Sequence, residues 1–516
     1  MSAEAQSQSS AGGATYLTGG ALVGTILLLA LANFMAVLDL TIVNVAVPHI
    51  AGSLAVSPNE GTWAITSYAV AEAITVPLSG WLAGRFGAVR VFVVAAAAFG
   101  LFSLLCGFAP SLSMLVVFRV LQGLSGGPLM PMSQTLLMQV TPPKHVQLGL
   151  GLQTMTTIVA PIAGPVLGGT LTDSVGWPWA FYINVPISIF CALMVWRLLR
   201  SREIKTVKRP VDYVGLGLLV LWIGALQIML DNGQNEDWFA SSFIVTLAVI
   251  AAVGFIAFLI WELTDKNPVV DLSVFRNRTF SVMAAAMAFT FGSFFATIVL
   301  IPLWLQTNMG YTATWAGYVM AFQGVLGVAM APVAALLVSR VDPRFLMSVG
   351  ISILAAVTLW RTTFAQNITF WQLVAPQLVT GLGIPLFFVP LLGLSIAAVP
   401  PTQTASAAGL VHFIRTVSGA FGTALVTTAW DQAATNVRVN LVGNLHHPHA
   451  MLSNLQAHGL SPAQALTTLG NMVQSQAVML ATNRMFFVLA VVIAMVAAGV
   501  WLSPKPKDPV TLSTGH

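Results

Sequence analysis

The feature that most constrains this chain is its series of apolar runs, each long enough to cross a lipid bilayer. The first run begins at Ala21 and ends near Val47, and roughly 20 apolar residues suffice for one membrane-spanning helix. Charged residues make up 7% of the chain and hydrophobic residues 57%, whereas soluble domains carry roughly 25% charged residues. The sequence therefore predicts an all-α integral membrane protein.

Polar or Pro/Gly-rich turns separate the apolar runs into fourteen predicted spans. The spans are 21–47, 61–83, 89–109, 112–133, 147–171, 178–199, 213–230, 240–262, 279–305, 313–338, 344–364, 371–398, 405–430 and 483–502. An even number of spans places both termini on the same side of the membrane. Residues 1–20 contain no Lys or Arg, so they lack the basic start of a cleaved signal peptide and are predicted to be a disordered tail.

The distribution of basic residues predicts the orientation. One set of loops holds most of them: Arg85, Arg90, Lys144, Arg197, Arg200, Arg202, Lys205, Lys208, Arg209, Lys266, Arg276, Arg278, Arg340, Arg344, Lys505 and Lys507. The opposite loops hold Arg438 and Arg484. Because Lys and Arg concentrate in cytoplasmic loops, both termini are predicted to be cytoplasmic, including the tail 504–516. The same bias explains the net charge of +5 without a nucleic-acid partner.

The chain also repeats itself with an offset of 258 residues. Pro142-Pro143 before the fifth span matches Pro400-Pro401 before the thirteenth, and Gly164 matches Gly422. We therefore predict two six-helix bundles, at 21–200 and 272–503, with two inserted helices at 210–263. Transporters built from such parallel repeats place the substrate site near mid-membrane, between the halves.

Two carboxylates and one guanidinium inside the first bundle are candidates for proton coupling. Asp39, Glu72 and Arg119 lie within apolar runs, where charged side chains are costly and are a functional hypothesis by default. The repeat places Thr297 and Met330 at the positions of the two acids, which assigns coupling to the first half. The alternative is a static ion pair that holds helices together.

A glycine-rich turn between the second and third spans is a candidate conformational latch. It contains Gly80, Gly84, Arg85, Gly87 and Arg90. The glycines permit a tight turn and a close approach of helices, and the arginines can bind carboxylates or helix ends. The alternative is that the arginines only determine topology.

The end of the fifth span is a candidate hinge. Small residues permit close helix packing there, and prolines kink a helix. The hinge residues are Pro161, Gly164, Pro165, Gly168 and Gly169.

Candidate substrate contacts combine a few polar groups with aromatic rings. They are Arg415, His412, Gln122, Phe295, Phe322 and Phe387. The alternative is that Arg415 and His412 pack within the bundle and that the phenylalanines face lipid. Arg361, near the end of its span, is expected to extend its charge towards the membrane surface. The sequence contains no nucleotide-binding loop, catalytic triad or metal-ligand set, so neither an enzyme nor a cofactor is predicted.

One connection between spans, the predicted periplasmic loop 431–482, is far longer than most, which run about 4–6 residues. Ser461 and Pro462 are typical of a helix start, and Leu466, Leu469, Met472, Val473 and Leu480 then recur at roughly helical spacing. This apolar stripe packs either on the loop itself or on a partner protein.

Several motifs resemble those of the fourteen-span drug:proton antiporters of the major facilitator superfamily. The matching stretches are Asp39-x-Thr41-Ile-Val-Asn44, Trp63-x-Ile-Thr66-Ser-Tyr68, the Gly80–Arg90 turn, Arg119-x-x-Gln122-Gly123 and Ala160–Gly169. The resemblance implies the major facilitator fold and proton-driven efflux of hydrophobic compounds across a bacterial inner membrane. It also implies a periplasmic adaptor (membrane fusion) protein and an outer-membrane channel as partners. The alternative is a proton-coupled importer or exporter of a specific metabolite or fatty acid that acts without a partner.

Overall fold

The computed structural model describes residues 16–203, 206, 211–265, 268–445 and 448–505, and they form a bundle of α-helices. Fourteen helical units are labelled in chain order: α1 (Gly19–Ser53), α2 (Trp63–Thr75, continued by Ser79–Phe86), α3 (Ala88–Gly107), α4 (Leu112–Gly126, continued by Leu129–Val140), α5 (Pro143–Ser174), α6 (Asn184–Leu199), α7 (Tyr213–Asn232), α8 (Ser242–Thr264), α9 (Arg278–Asn308), α10 (Ala313–Val338), α11 (Pro343–Trp360), α12 (Phe370–Ala397), α13 (Thr404–Gly443) and α14 (Pro462–Gly499). Shorter α-helices lie at Pro58–Gly61, Trp179–Tyr182 and Pro448–Ala457, and 3₁₀ turns at Arg200–Arg202, Trp238–Ala240, Leu272–Arg276, Arg361–Thr363, Pro401–Gln403 and Val500–Leu502.

The prediction of an all-α, multi-pass membrane protein is confirmed. Among the described residues, 12 helices are long and apolar enough to cross a bilayer, and α5, which bends by 47° between His145–Pro161 and Val166–Ser174, makes a thirteenth. The remaining predicted span is α2, which is broken near Pro77 and has no part longer than 13 residues. Because proline removes a helix hydrogen bond, the break has a local cause, and fourteen spans are compatible with this architecture.

The helix starts follow the repeat seen in the sequence. Phe370 of α12 lies 258 residues after Leu112 of α4, and Arg278 of α9 lies 259 residues after Gly19 of α1. A core that includes Met35, Phe92 and Phe99 fills the first half. A second core includes Phe280 and Phe387 of the second half, and it takes in Trp222 of the inserted helix α7.

The two halves pack tightly against each other at the helix ends that carry Arg85, Arg200 and Arg340, which we call the basic face. A Cβ atom on Gly80 would lie only 2.7 Å from the Cα of Ser406 in α13. A Cβ atom on Gly409 would lie 2.9 Å from the carbonyl oxygen of Val76. Such glycine contacts let helix backbones approach closely, so the basic face is closed in this conformation.

The segment predicted as the loop 431–482 is largely helical. Helix α13 continues to Gly443, and α14 begins at Pro462. Ser461 accepts a hydrogen bond from the backbone of Gln464 and completes a capping box, as its sequence indicates. The 40 residues of α13 span about 60 Å at about 1.5 Å per residue, twice the roughly 30 Å hydrocarbon core. The helix pair therefore projects beyond the membrane at the face opposite the basic face.

Several predicted features lie outside the described residues. They are residues 1–15 of the first tail, residues 506–516 of the second tail, and the loop residues Lys205, Lys208, Arg209 and Lys266.

We predict that Gly80→Ala shifts the protein away from this closed basic face. The added methyl group overpacks the contact with Ser406, at a typical cost of about 1–3 kcal/mol, enough to change a two-state equilibrium about 5–150-fold. Spin labels at the exposed positions 201 and 402, one in each half, would report a longer distance. The matched control is Gly84→Ala, because nothing lies within 4 Å of a Cβ at Gly84. An unchanged distance in Gly80→Ala would contradict the role of this contact.

Candidate transport site

Asp39 and Arg119 form an ion pair that is sealed inside the first half. The Nη1 atom of Arg119 lies 2.6 Å from Oδ2 of Asp39, and both side chains are 0% exposed. The other carboxylate oxygen accepts hydrogen bonds from Gln122 Nε2 at 3.0 Å and Asn184 Nδ2 at 2.7 Å. Arg119 also donates from Nε to the carbonyl oxygen of Ala64 at 2.7 Å. Because every contact to Asp39 comes from a donor, the arrangement fits an ionised carboxylate.

Aromatic rings and neighbouring polar groups complete this enclosure. The guanidinium of Arg119 lies 4.2 Å from the ring centre of Tyr68 and 5.6 Å from that of Phe181, both within cation–π range. Asn184 reaches Ser103 at 3.3 Å, and Ser103 donates to the carbonyl oxygen of Phe181 at 2.8 Å. The pair thus joins α1, α2, α4 and α6 through one polar network.

A cavity of about 510 Å³ lies between the two halves. Its walls combine side chains at mid-membrane depth with others near the face opposite the basic face: Thr41, Asn44, Thr66, Glu72, Thr154, Pro161, Asp231, Trp238, Phe291, Phe294, Phe295, Gln323, Phe387, Phe388, Arg415 and Thr427 are among them. A cavity of this size holds one drug-sized molecule. Since the basic face is closed, the cavity extends towards the opposite face.

The cavity brings Glu72 and Arg415 to its walls but leaves Asp39 outside them. Glu72 is 5% exposed and Arg415 is 8% exposed. Arg415 lies 2.9 Å from the sulfur of Met130, across the interface between halves, and 5.5 Å from the ring centre of Phe291. The two carboxylates predicted for coupling therefore occupy different environments: one is sealed in an ion pair, and the other lines the cavity.

The inserted helix α7 supplies a wall of the cavity that sequence reasoning missed. Asp231 lines the cavity, as does Thr66 on α2, and it accepts a hydrogen bond from Gln227 at 3.1 Å. Beyond α7, Trp238 also lines the cavity and donates to the hydroxyl of Thr428 on α13 at 2.8 Å. An acidic residue at the end of an apolar run was the available signal, but the face that α7 presents depends on tertiary packing.

The candidate substrate residues divide into two groups. Arg415, Phe295 and Phe387 line the cavity. Gln122 and His412 lie outside its walls. Gln122 belongs to the network around Asp39, and His412 is buried with no hydrogen-bond partner for either ring nitrogen among the described residues. Phe322 also lies outside and packs edge-on against Phe370 and Trp371.

The candidate hinge brings α5 into close contact with α1. A Cβ on Gly164 would meet the side chain of Thr41, and one on Gly168 would lie 2.8 Å from the carbonyl oxygen of Ile42. Gly169 has ordinary spacing to its nearest neighbour, Val45, at 3.9 Å. Pro161 lies beside the 47° bend and lines the cavity, whereas the side chain of Pro165 lies outside the described residues.

The candidate latch is held by a carboxylate that the sequence did not single out. Glu203, after α6, accepts hydrogen bonds from the backbone nitrogens of Val89 at 3.1 Å and Arg90 at 3.0 Å. These nitrogens belong to the first turn of α3, where a negative charge is favourable. Gly87 between α2 and α3 has a φ of +93°, which favours glycine. Arg85 lies 5.5 Å from the ring centre of Trp81.

The expectation that Arg361 extends towards the membrane surface is wrong. Its side chain is buried, at 3% exposure, and its Nη2 donates to Gln377 at 3.0 Å and Thr380 at 2.8 Å. Both partners lie on α12, whose position beside Arg361 is a tertiary feature.

Two repeated helical halves around a central cavity with buried charges define a membrane transporter. Residues 29–423 match the profile of the Major Facilitator Superfamily, and the chain belongs to this family of transporters.

Curated relatives match over nearly the whole chain. It is 42% identical over 495 residues to the multidrug export protein EmrB of Haemophilus influenzae, covering 95% of this chain and 97% of that protein. It is 42% identical over 494 residues to the fatty acid resistance protein FarB of Neisseria gonorrhoeae, with the same coverage of each chain. It is 41% identical over 495 residues to EmrB of Escherichia coli K12, again covering 95% and 97%.

Solved structures share the fold at low sequence identity. The proton:xylose symporter XylE has a TM-score of 0.58 at 13% identity, covering 95% of this chain and 97% of that one. The human organic anion transporter MFSD10 has a TM-score of 0.56 at 12% identity, covering 92% and 99%.

We predict that Asp39→Asn lowers the free energy of unfolding by about 3–5 kcal/mol, because it leaves a buried guanidinium unpaired. The double variant Asp39→Asn/Arg119→Gln should recover most of this loss, since replacing both partners of a buried pair is often nearly neutral. Unfolding of the purified proteins measures both values. Asp342→Asn is the control, because its partly exposed pair with Arg344 should contribute about 0–1 kcal/mol. If Asp39→Asn were as stable as the unaltered protein, the ion pair would not stabilise the fold, which would contradict this prediction.

Proposed function

We propose that this protein is a proton-coupled antiporter that exports hydrophobic drugs or toxic amphiphiles across a bacterial inner membrane. The cavity between the halves supports this proposal, because it pairs aromatic walls with a few charged groups, as drug-sized ligand sites do. The names of the relatives, multidrug export and fatty acid resistance proteins, support export rather than import.

The observation that carries the coupling proposal is the different placement of the two acids. Glu72 lines the cavity, whereas Asp39 is enclosed with Arg119. We assign the exchange of a proton for substrate to Glu72, and the positioning of the surrounding helices to the Asp39–Arg119 pair. A carboxylate that lines the binding cavity can release its proton when a compound enters and take one up when the compound leaves, which links the two flows.

The charge of the cavity favours cationic hydrophobic compounds. Among the described residues that line it, Glu72 and Asp231 carry the acidic groups and Arg415 the basic group. Phe291, Phe295 and their neighbours offer ring faces, which attract organic cations.

The orientation completes the transport cycle. The basic residues of the closed face support a cytoplasmic location for it, and in this proposed orientation the cavity faces outwards. The Gly80–Arg90 latch and the Pro161–Gly169 hinge are assigned to the change between this conformation and one that is open to the cytoplasm.

We predict that Glu72→Gln abolishes export driven by an imposed pH gradient in proteoliposomes but retains counterflow of a labelled cationic compound. Counterflow requires that the compound binds and that the cavity opens alternately to the two sides of the membrane, but it requires no net proton transfer. Asp39→Asn should lose both activities, because the packing of the first half depends on it.

The exposed Glu236 provides the matched control, and Glu236→Gln should behave as the unaltered protein. Gradient-driven export by Glu72→Gln at the normal rate would contradict the assignment. Uptake rather than export by the unaltered protein would contradict the proposed function itself.

Export of fatty acids is the second candidate. Arg415 lines the cavity, and within the described part of the chain it forms no ion pair, so it can receive a carboxylate. FarB, a fatty acid resistance protein, is as similar as EmrB. Selective loss of fatty acid export in Arg415→Gln would favour this candidate.

We further propose that the projecting part of α13 and α14 binds a periplasmic adaptor protein, which would link this subunit to an outer-membrane channel. Within the predicted stripe, Leu469 is 9% exposed, while Leu466 and Met472 are 63% and 59% exposed. One side of the stripe therefore packs on its own helix pair, and the other side is free for a partner.

Replacing the exposed Leu466 and Met472 by Ser should leave antiport in proteoliposomes unchanged but remove drug resistance in cells. Ser substitutions at Val249 and Val253, exposed on the inserted helix α8, are the control. Loss of antiport in the purified Leu466/Met472 variant would instead place this surface in the transport cycle.

A further inference from the structure

A buried guanidinium in the second half occupies the place that the ion pair occupies in the first. With the offset of 258 residues, Asp39, Ser103, Arg119 and Gln122 correspond to Thr297, Arg361, Gln377 and Thr380. The helices that carry these residues begin at corresponding positions, as α4 and α12 illustrate. The buried arginine of the second half, Arg361, therefore stands at the position equivalent to Ser103. Its side chain extends towards the residue equivalent to Arg119.

The contacts of Arg361 agree with this correspondence. Its Nη2 donates to Gln377 and Thr380, which are the counterparts of Arg119 and Gln122. Its Nε has no hydrogen-bond partner among the described residues. Both halves therefore have a buried polar site at this position, and each site contains one guanidinium.

The carboxylate of Asp39 has no counterpart at the equivalent position of the second half. Thr297 stands at the position of Asp39, and the ion pairs found in the described parts of the chain involve His49, Arg119 and Arg344 rather than Arg361. Gln377 and Thr380 are neutral. Arginine remains protonated in proteins, and a buried charge without an opposite charge is strongly unfavourable.

A small cavity lies beside this charge. Arg361 lines it together with Thr297, Thr358 and Thr380. Its volume is about 10 Å³, room for about one water-sized particle. Phe294 and Leu354 line both this cavity and the central one, so the two cavities are neighbours.

We propose that this pocket, after a slight widening beyond its water-sized volume, binds one monovalent anion of the size of chloride, which neutralises Arg361 as the carboxylate of Asp39 neutralises Arg119. The anion lies beside the guanidinium, and the hydroxyl-bearing wall excludes larger organic anions. The site rests on the geometry of the second half alone and is independent of the substrate that the central cavity carries.

The test compares the melting temperature of the purified protein in chloride and in gluconate at constant ionic strength, since gluconate is too large for the pocket. For the unaltered protein, Tm should rise and saturate as chloride replaces gluconate, because a ligand that binds the folded state stabilises it. Thr297→Asp supplies a carboxylate from the chain itself, and Arg361→Gln removes the charge. Both variants should lose the chloride dependence.

Thr307→Asp is the matched control, because it adds the same charge at an exposed position of the same helix, α9, and should keep the dependence. A crystal grown in bromide should show an anomalous peak beside Arg361, which tests the unaltered protein even if a variant fails to fold. Equal Tm values in the two salts, or a chloride dependence retained in Arg361→Gln, would overturn the proposal.

Discussion

An ion pair removed from water is stable only when its charged groups have partners, and the pair of Asp39 and Arg119 imposes this condition on the first half, although Nη2 of Arg119 has no hydrogen-bond partner among the described residues. Its partners come from separate helices: Ala64 near the start of α2, Gln122 on α4 and Asn184 on α6. Moving any one of these helices alone would deprive Asp39 or Arg119 of a hydrogen-bond partner. We therefore expect the first half to move as a rigid body during transport, with the change of shape concentrated at the interface between halves.

That interface combines close packing with an adaptable cavity. Gly80 and Gly409 let backbones from the two halves touch at the basic face, and such contacts form or separate with few side-chain rearrangements. At mid-membrane depth the two halves are separated by the central cavity, which Glu72 and Arg415 line. The inserted helix α7 adds Asp231 and packs on α2 of the first half. Trp238, just after α7, bonds Thr428 on α13 of the second half. A cavity with a wall from outside the repeat can differ in charge from one that the repeat alone would build.

Much of the fold could be predicted from local features of the sequence. Apolar runs located the helices, and Ser461-Pro462 placed the start of α14 because a cap and a first-turn proline act within a few residues. The charged residues Asp39 and Arg119 within apolar runs indicated a proton-coupling site or a static ion pair. Asn184 and Glu203 were missed because their partners lie 145 and 113–114 residues away in the chain. The surroundings of Asp231 and Arg361 depend on which face of a helix packs against its neighbour. A membrane helix that is hydrophobic on all sides does not specify that face in its sequence.

If Glu72 exchanges the proton for substrate, binding of a substrate must release a proton from the protein. Purified protein in weakly buffered detergent solution is mixed with a saturating permanently charged organic cation, and released protons are counted with a pH indicator near neutral pH. The account predicts release from the unaltered protein and from Glu236→Gln, but none from Glu72→Gln when that variant binds the cation. Release of the same number of protons by Glu72→Gln would contradict the account and assign the exchanged proton to another group.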